Sequence, residues 1–385
     1  MATGAGDPYW QGPGLPSIFK HEPLRLYLPK FGGKTGSGGR GVVYLDGYAG
    51  RGRYEDDSPG SAERILKIAE DQRAAGINYR LFFHEKDPTS YDVLKSVVDE
   101  YAARGVHAQA SPDDVIDGLP DVIAAAQDKP LFLFLDPCGL GLPFDGLTGT
   151  LTGPRVSKWP PTEVLLNFSL DAVRRIGGHV NSATPNEKTM ARLDAALGGP
   201  WWRDIIKKNE ATDAASQIVH GFVDRFSKAT NMHVYAIPVR RAPHHKPVYY
   251  LVFGTRSTLG IWYFADAAAR ATETWWATID AREAAKDEAE GIMPLFDIPN
   301  PLHPDIKEVE SEARPVIAEN IATLANRHGQ FTVGDYPDEV FGDYLGRVRE
   351  TVVRAAIKDL HAAGRTPSDG KGKSIAALTV IRPRR

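Results

Sequence analysis

The chain has 385 residues, of which 42% are hydrophobic and 25% charged, with a formal net charge of −3 at pH 7. Such a composition excludes a disordered or uniformly basic protein and leaves room for one large domain with an appendage, or for two domains. A single cysteine, Cys138, excludes an intrachain disulfide and any CxxC metal set, so a cytoplasmic protein with no metal site is expected.

Met1 to Gly14 is rich in glycine and proline and has no basic segment followed by an apolar core. Residues 1–17 therefore read as a flexible leader, not a signal peptide or membrane anchor. The apolar spacing of Leu24, Tyr27 and Leu28 predicts a short helix over His21 to Leu28, ending in a linker, Gly32 to Gly39. Gly33-Lys34-Thr35 is not a phosphate loop, because Leu28 occupies the position where that motif needs its first glycine.

Val42-Val43-Tyr44-Leu45 predicts a strand covered on both faces, and it stops at Asp46. Gly47, Gly50 and Gly52 follow, permitting a tight bend and close backbone approach by a ligand. A carboxylate at the mouth of such a turn repels the pyrophosphate of a dinucleotide, which would seek backbone donors. It suits S-adenosylmethionine, which carries an ammonium and a sulfonium and no phosphate. A helix starting near Ser61 comes next, with Ala62, Ile65, Leu66 and Ala69 on one face.

Further strands are predicted at Tyr79 to His84, Val106 to Ala110, Leu131 to Leu135 and Val164 to Leu166, with a helix over Tyr91 to Arg104. The strands end at Glu85-Lys86-Asp87, Asp113-Asp114, Asp136-Pro137 and Asn167-Phe168 respectively. Alternating strands and helices predict an α/β, Rossmann-like parallel sheet, and polar residues at successive strand ends predict a ligand in the crevice there. Met232 to Val239 and Val248 to Phe253 are too close together for a crossover helix and predict an antiparallel hairpin. A parallel sheet closing in such a hairpin resembles the class I methyltransferase outline.

Ala281 to Glu290 predicts a charged helix, and the prolines at 294, 299, 301 and 304 predict a linker over 293–306. The first domain thus spans 18–292. Beyond the linker, 307–385 reads as helix, strand, two helices and strand, an element order that resembles a winged-helix module.

Lys20-His21, the run from Asp46 to Tyr54, Gly60-Ser61, Glu85-Lys86-Asp87, Leu135 to Gly139 and Asn167-Phe168 together resemble the three-Cys-motif partner protein family, over roughly residues 18–270. The resemblance implies a class I methyltransferase-like fold, S-adenosylmethionine as cofactor, and a separate partner protein bearing three cysteines. It also implies roles. Asp46, Gly47, Gly50 and Gly52 form the first cofactor motif, Glu85 accepts the ribose hydroxyls, and Asp113 meets the adenine amino group, with Asp114 competing for that place. Asp136 and Pro137 resemble the start of the Asp-Pro-Pro-aromatic signature of amino-group methyltransferases, although Cys138 and Gly139 replace the second proline and the ring. Phe144 and Phe168 are candidates to replace that ring.

Other constellations rank lower. His244-His245 lacks further ligands at metal spacing, and the basic clusters Arg174-Arg175 and Arg240 to Lys246 suit either a solvated loop or an anionic substrate. Trp201-Trp202 and Trp275-Trp276 read as helix packing. Two functions stand: a methyltransferase of unspecified acceptor, with nucleic acid or a nucleoside among the candidates, and a non-catalytic scaffold of the same fold that binds the three-cysteine partner or nucleic acid. Either admits nucleic acid at the C-terminal module.

Overall fold

The structure, a computed structural model, describes residues 15–137, 139–208, 211–240, 245–289 and 305–383. The leader up to Gly14, Cys138, His244 and most of the proline-rich stretch lie outside the described residues. The described chain forms two compact units, one built on Leu28–Arg241 and Lys246–Arg256, the other on Ile18–Tyr27 and Ser257–Arg385. The first unit ends at Arg256, and the proline-rich stretch expected as the linker lies mostly outside the described residues.

The first unit holds a seven-stranded sheet: β1 (Val42–Asp46), β2 (Tyr79–His84), β3 (His107–Ser111), β4 (Leu131–Leu135), β5 (Thr162–Ser169), β6 (His233–Val239) and β7 (Tyr249–Thr255). Its order is β3-β2-β1-β4-β5-β7-β6. The first five strands are parallel, while β7 runs antiparallel to both β5 and β6. The expected hairpin is present, and β7 is inserted between β5 and β6. This order with one reversed strand is the class I methyltransferase sheet. Central strands β1 and β4 are buried at every position, as continuous apolar runs require. Edge strand β6 tolerates Pro238, which has no N–H to donate to a ladder.

Helices α1 (Leu15–Thr35), α2 (Ser61–Ala74), α3 (Pro88–Ala103), α4 (Val115–Ala125) and α5 (Phe144–Thr152) alternate with the strands. Four more, α6 (Leu170–Gly177), α7 (Glu187–Leu197), α8 (Trp201–Lys208) and α9 (Ala211–Thr230), lie between β5 and β6 in sequence. Val43, Leu45, Leu131, Leu133 and Leu135 pack into one apolar cluster with α4, α5, α6, α7 and α9, which also buries Trp202. The alternate residues Tyr44, Phe83 and Phe132 form an aromatic group, and Phe31 of α1 meets Phe132 edge-on at 5.6 Å.

Helix α1 is longer than expected and includes Gly32 to Thr35, which the sequence suggested as linker. Close packing explains the glycine: a Cβ at Gly32 would stand 2.1 Å from the Tyr79 hydroxyl. That hydroxyl donates to the Leu28 carbonyl at 2.9 Å, closing a buried contact.

In the second unit, the expected helix at Ala281 is the end of a longer α10 (Thr258–Ala289). There follow α11 (Ile306–His328), β8 (Gln330–Thr332), α12 (Pro337–Phe341), α13 (Thr351–Ala362) and β9 (Thr379–Ile381), with β8 and β9 antiparallel. Ile317, Ile321 and Leu324 of α11 and Val353, Ile357 and Leu360 of α13 are buried at helical spacing. Trp262 of α10, fully buried, stacks obliquely on Phe341 at 4.9 Å and donates to Glu350 at 2.6 Å. Trp275 is likewise buried, edge-on to Phe19.

Candidate functional site

The five parallel strands carry their carboxyl ends to one edge of the sheet, and the turn after β1 is bound to that edge at three points. Gly47 N–H donates to the Phe134 carbonyl, Ala49 N–H to the His84 carbonyl, and Gly50 N–H to Glu85 Oε2, each at 2.9 Å. The glycines have separate jobs. Gly50 and Gly52 take positive φ, 61° and 76°, which L side chains rarely adopt. At Gly47 a Cβ would come within 2.8 Å of both Val115 and Leu135, so this residue lets β1, β4 and α4 approach.

Asp46 is completely buried beneath this turn. Its Oδ1 accepts from Tyr48 N–H at 3.1 Å and its Oδ2 from the Ser61 hydroxyl at 2.9 Å. Burial pushes its carboxyl up to about 7, and the nearby charges of Asp136 and Glu85 act in the same direction, while the two hydrogen bonds oppose it. Glu85 is half-buried, and burial raises its carboxyl above the usual range. It accepts Gly50 N–H on one oxygen and Asp87 N–H, at 2.7 Å, on the other. A carboxylate has about four acceptor positions, so each Glu85 oxygen retains capacity for a further donor. Asp87 itself caps α3 through Ser90 N–H, an arrangement typically worth about 1 kcal/mol.

Asp113 and Asp114 are distinguished by their surroundings. Asp114 caps α4 and pairs with Lys86 at 2.9 Å. Asp113 is exposed, one strand further from Asp46, and accepts a short hydrogen bond from the Ser111 hydroxyl. On the other side of β1, Asp136 is half-buried and accepts from Asn167 Nδ2 at 2.5 Å, which joins the ends of β4 and β5. Pro137 is buried, and its carbonyl accepts Gly139 N–H at 2.8 Å. Thus Asp46, Glu85 and Asp136 share one electrostatic environment, with Asp113 at its outer side.

Beside Asp136 lies a cavity of about 50 Å³, lined by Gly139, Leu142, Phe144, Asn167, Phe168 and Phe222 among others. Phe168 is 5.1 Å from Phe222, and Phe144 meets Phe222 edge-on at 5.9 Å. Asn167 is 6% exposed, and its Oδ1 has no hydrogen-bond partner although it is buried.

Three side chains here carried no site role in the sequence reading. Ser61 was legible as a helix-start residue but not as the Asp46 donor. Asn167 was legible as a strand end, while its pairing with Asp136 depends on β4 and β5 being neighbours. Tyr44 gave no signal beyond its apolar context. Its phenol is buried and lacks a hydrogen-bond partner, and burial, with the charges of Asp46 and Asp136, holds its pKa well above the ordinary tyrosine value. Of the basic clusters, Arg174 is tied to Asp171 and to the Pro247 carbonyl, and the run from Arg240 to Lys246 lies partly outside the described residues.

No family model matches the sequence, and no curated protein matches it. Solved structures do show likeness at low identity. Trm1 from Pyrococcus horikoshii, solved with S-adenosyl-L-methionine, aligns at 13% identity and a TM-score of 0.36, covering 66% of this chain and 60% of that one. Protein LPL1258 from Legionella pneumophila aligns at 12% identity and 0.35, covering 63% and 85%. Geranyl diphosphate C-methyltransferase from Streptomyces coelicolor, solved with S-adenosyl-L-homocysteine, aligns at 10% and 0.26, covering 60% and 75%. The fold assignment rests on the strand order itself.

Proposed function

We propose that the chain is an S-adenosylmethionine-dependent methyltransferase. The observation that carries this reading is the carboxylate pair Asp46 and Glu85, coupled through one glycine turn at the carboxyl edge of a class I methyltransferase sheet. The residues present fit the cofactor. Glu85 is held by two backbone donors in an orientation that leaves acceptor capacity for the two ribose hydroxyls. Asp113, exposed and free of the capping duty that occupies Asp114, is assigned to the adenine amino group. Gly50 and Gly52 admit the methionine portion along the backbone, while Gly47 lets β1, β4 and α4 close behind the turn. Asp46 supports that turn from below, and a cationic ligand above it would favour its charged form. The bound cofactor would supply an electrophilic methyl group on its sulfonium.

The acceptor is read as entering beside Asp136. Methyl transfer depends chiefly on alignment in a dry pocket, so no dedicated base is required. Asp136 and the unpartnered Asn167 Oδ1 are both hydrogen-bond acceptors, suited to orienting an N–H or O–H nucleophile. The Pro137 carbonyl keeps a lone pair beyond the one that accepts Gly139 N–H, and Asn167 Oδ1, buried and unpartnered, is assigned beside it the second acceptor role that a backbone carbonyl has in the Asp-Pro-Pro-aromatic signature. Phe144 and Phe168 supply the apolar wall.

Calorimetry with S-adenosylhomocysteine tests the reading. Micromolar binding that is lost on Glu85→Ala is expected, and no binding by the unaltered chain would overturn it. Transfer of labelled methyl to a component of cell extract, lost in Asn167→Leu while cofactor binding persists, tests the acceptor assignment. The element order of α11 to β9 supports reading 307–385 as a winged-helix-like module that engages a partner. The family resemblance supports a three-cysteine protein as that partner, testable by co-purification.

A further inference from the structure

The opposite, amino-terminal edge of the same sheet bears a groove of about 480 Å³, lined by the starts of β1, β2 and β3 and the residue before Pro130. Its lining includes Arg40, Arg80, His107 and Lys129 and contains no carboxylate. None of these four forms an ion pair among the described residues, whereas Arg53, Arg203, Arg314 and Arg349 are each paired with carboxylates. Arg80 and His107 are register partners on neighbouring parallel strands. Arg40 and Lys129 each precede the first residue of their strands, β1 and β4, by two positions.

The four basic residues therefore follow the strand order β3-β2-β1-β4 in one row. Three inter-strand steps make that row roughly 14 Å long. One phosphate can reach only part of such a row, so the ligand that meets all of it is a chain of phosphates. Lys129 is held in place from behind by Arg155, a buried guanidinium that donates to the Lys129 and Ala126 carbonyls at 3.0 and 2.6 Å. Beside the row, Trp159 is 52% exposed, and the Arg40 guanidinium lies 4.9 Å from its ring centre. An exposed indole next to a line of basic residues, three of them Arg or Lys without an ion pair, offers bases a stacking surface and the backbone a charged track.

We infer that this amino-terminal edge binds single-stranded nucleic acid, through Arg40, Arg80, His107 and Lys129 to the phosphates and through Trp159 to a base. The site is separate from the carboxyl edge, so the inference does not rest on methyl transfer and also goes beyond nucleic acid at the C-terminal module.

Fluorescence anisotropy of the full chain with fluorescein-labelled 20-nucleotide uridine and thymidine strands, over a salt series, tests it. Binding to one or both strands is expected. The variant carrying Arg40→Ala, Arg80→Ala and Lys129→Ala should bind at least tenfold more weakly at 100 mM salt. Its slope of log affinity against log salt should fall by about two, since each single-strand phosphate contact contributes about 0.7. Trp159→Ala should weaken binding about fivefold or more with the slope unchanged. The lysine variant Arg40→Lys with Arg80→Lys should keep most of the affinity, which separates loss of charge from loss of fold. No binding at tens of micromolar protein would overturn the inference, as would equal affinity and slope in the triple variant, or displacement of the strand by micromolar inorganic pyrophosphate. Retained S-adenosylhomocysteine binding in the same variants separates failure here from failure of the methyltransferase reading.

Discussion

The two edges of one parallel sheet differ in sign. At the carboxyl edge, Asp46, Glu85, Asp113 and Asp136 stand at successive strand ends, with two of them tied to backbone N–H groups. At the amino edge, the same strands begin with or follow Arg40, Arg80, His107 and Lys129. The acids are buried or half-buried around a turn, apart from Asp113, while the basic residues are mostly exposed along a groove. Burial makes the first edge selective for a compact ligand whose charge and donors match fixed acceptors. Exposure makes the second edge responsive to the charge of an extended ligand and to salt.

The largest expected effect belongs to the carboxyl edge. Glu85→Ala removes the acceptors for the ribose hydroxyls and the partner of Gly50 N–H together. Hydrogen bonds to a charged group are worth about 1.5–3 kcal/mol each, so S-adenosylhomocysteine affinity measured by calorimetry should fall at least tenfold. Glu85→Gln, keeping one acceptor oxygen, should fall less. An unchanged affinity in Glu85→Ala would remove the acidic edge from the cofactor reading.

The next effect is pH-dependent. The Asp46 carboxyl is raised by burial to about 7 from an ordinary value near 4. Between those values the folded chain holds a proton that the unfolded chain has lost, so this residue's contribution to stability falls as pH rises from 4 to 7. Melting curves at pH 5 and 8 should differ less in Asp46→Asn than in the unaltered chain. A cationic ligand selects the ionised form, so affinity for S-adenosylmethionine should rise from pH 6 to 8, and that rise should be absent in Asp46→Asn.

A smaller, purely structural effect is expected at Gly47. A methyl group there meets Val115 and Leu135 at 2.7 and 2.8 Å. Overpacking of this kind costs about 1–3 kcal/mol, visible as a lowered melting temperature. Smallest of all, the triple variant of Arg40, Arg80 and Lys129 should change S-adenosylhomocysteine affinity by less than about twofold, because sites at opposite ends of a strand with no shared partner behave independently. A larger change would show that the two edges are coupled.

Much of the carboxyl edge was legible in the chain because local patterns encode it. The unbroken runs Val42 to Leu45 and Leu131 to Leu135 mark strands covered on both faces, and each is followed directly by its acid. Helices α6 to α9 were not legible as elements, and the start of α10 at Thr258 was missed. The role of Gly32 was misread for a related reason. Composition marks a glycine as permissive, but only the Tyr79 ring against it shows that it serves close packing.

By itself, the sequence determined the alternation of strand and helix, the glycine turn after Asp46 and the hairpin pairing of β6 with β7. These follow from periodicity, turn chemistry and loop length, which act over a few residues. Tertiary structure alone decided that β7 enters between β5 and β6, that Asn167 reaches Asp136, and that Arg40, Arg80, His107 and Lys129 form one row. Each of these depends on which distant strands become neighbours and in what register. Burial of the whole sheet sets that choice, and no local stretch of sequence contains it.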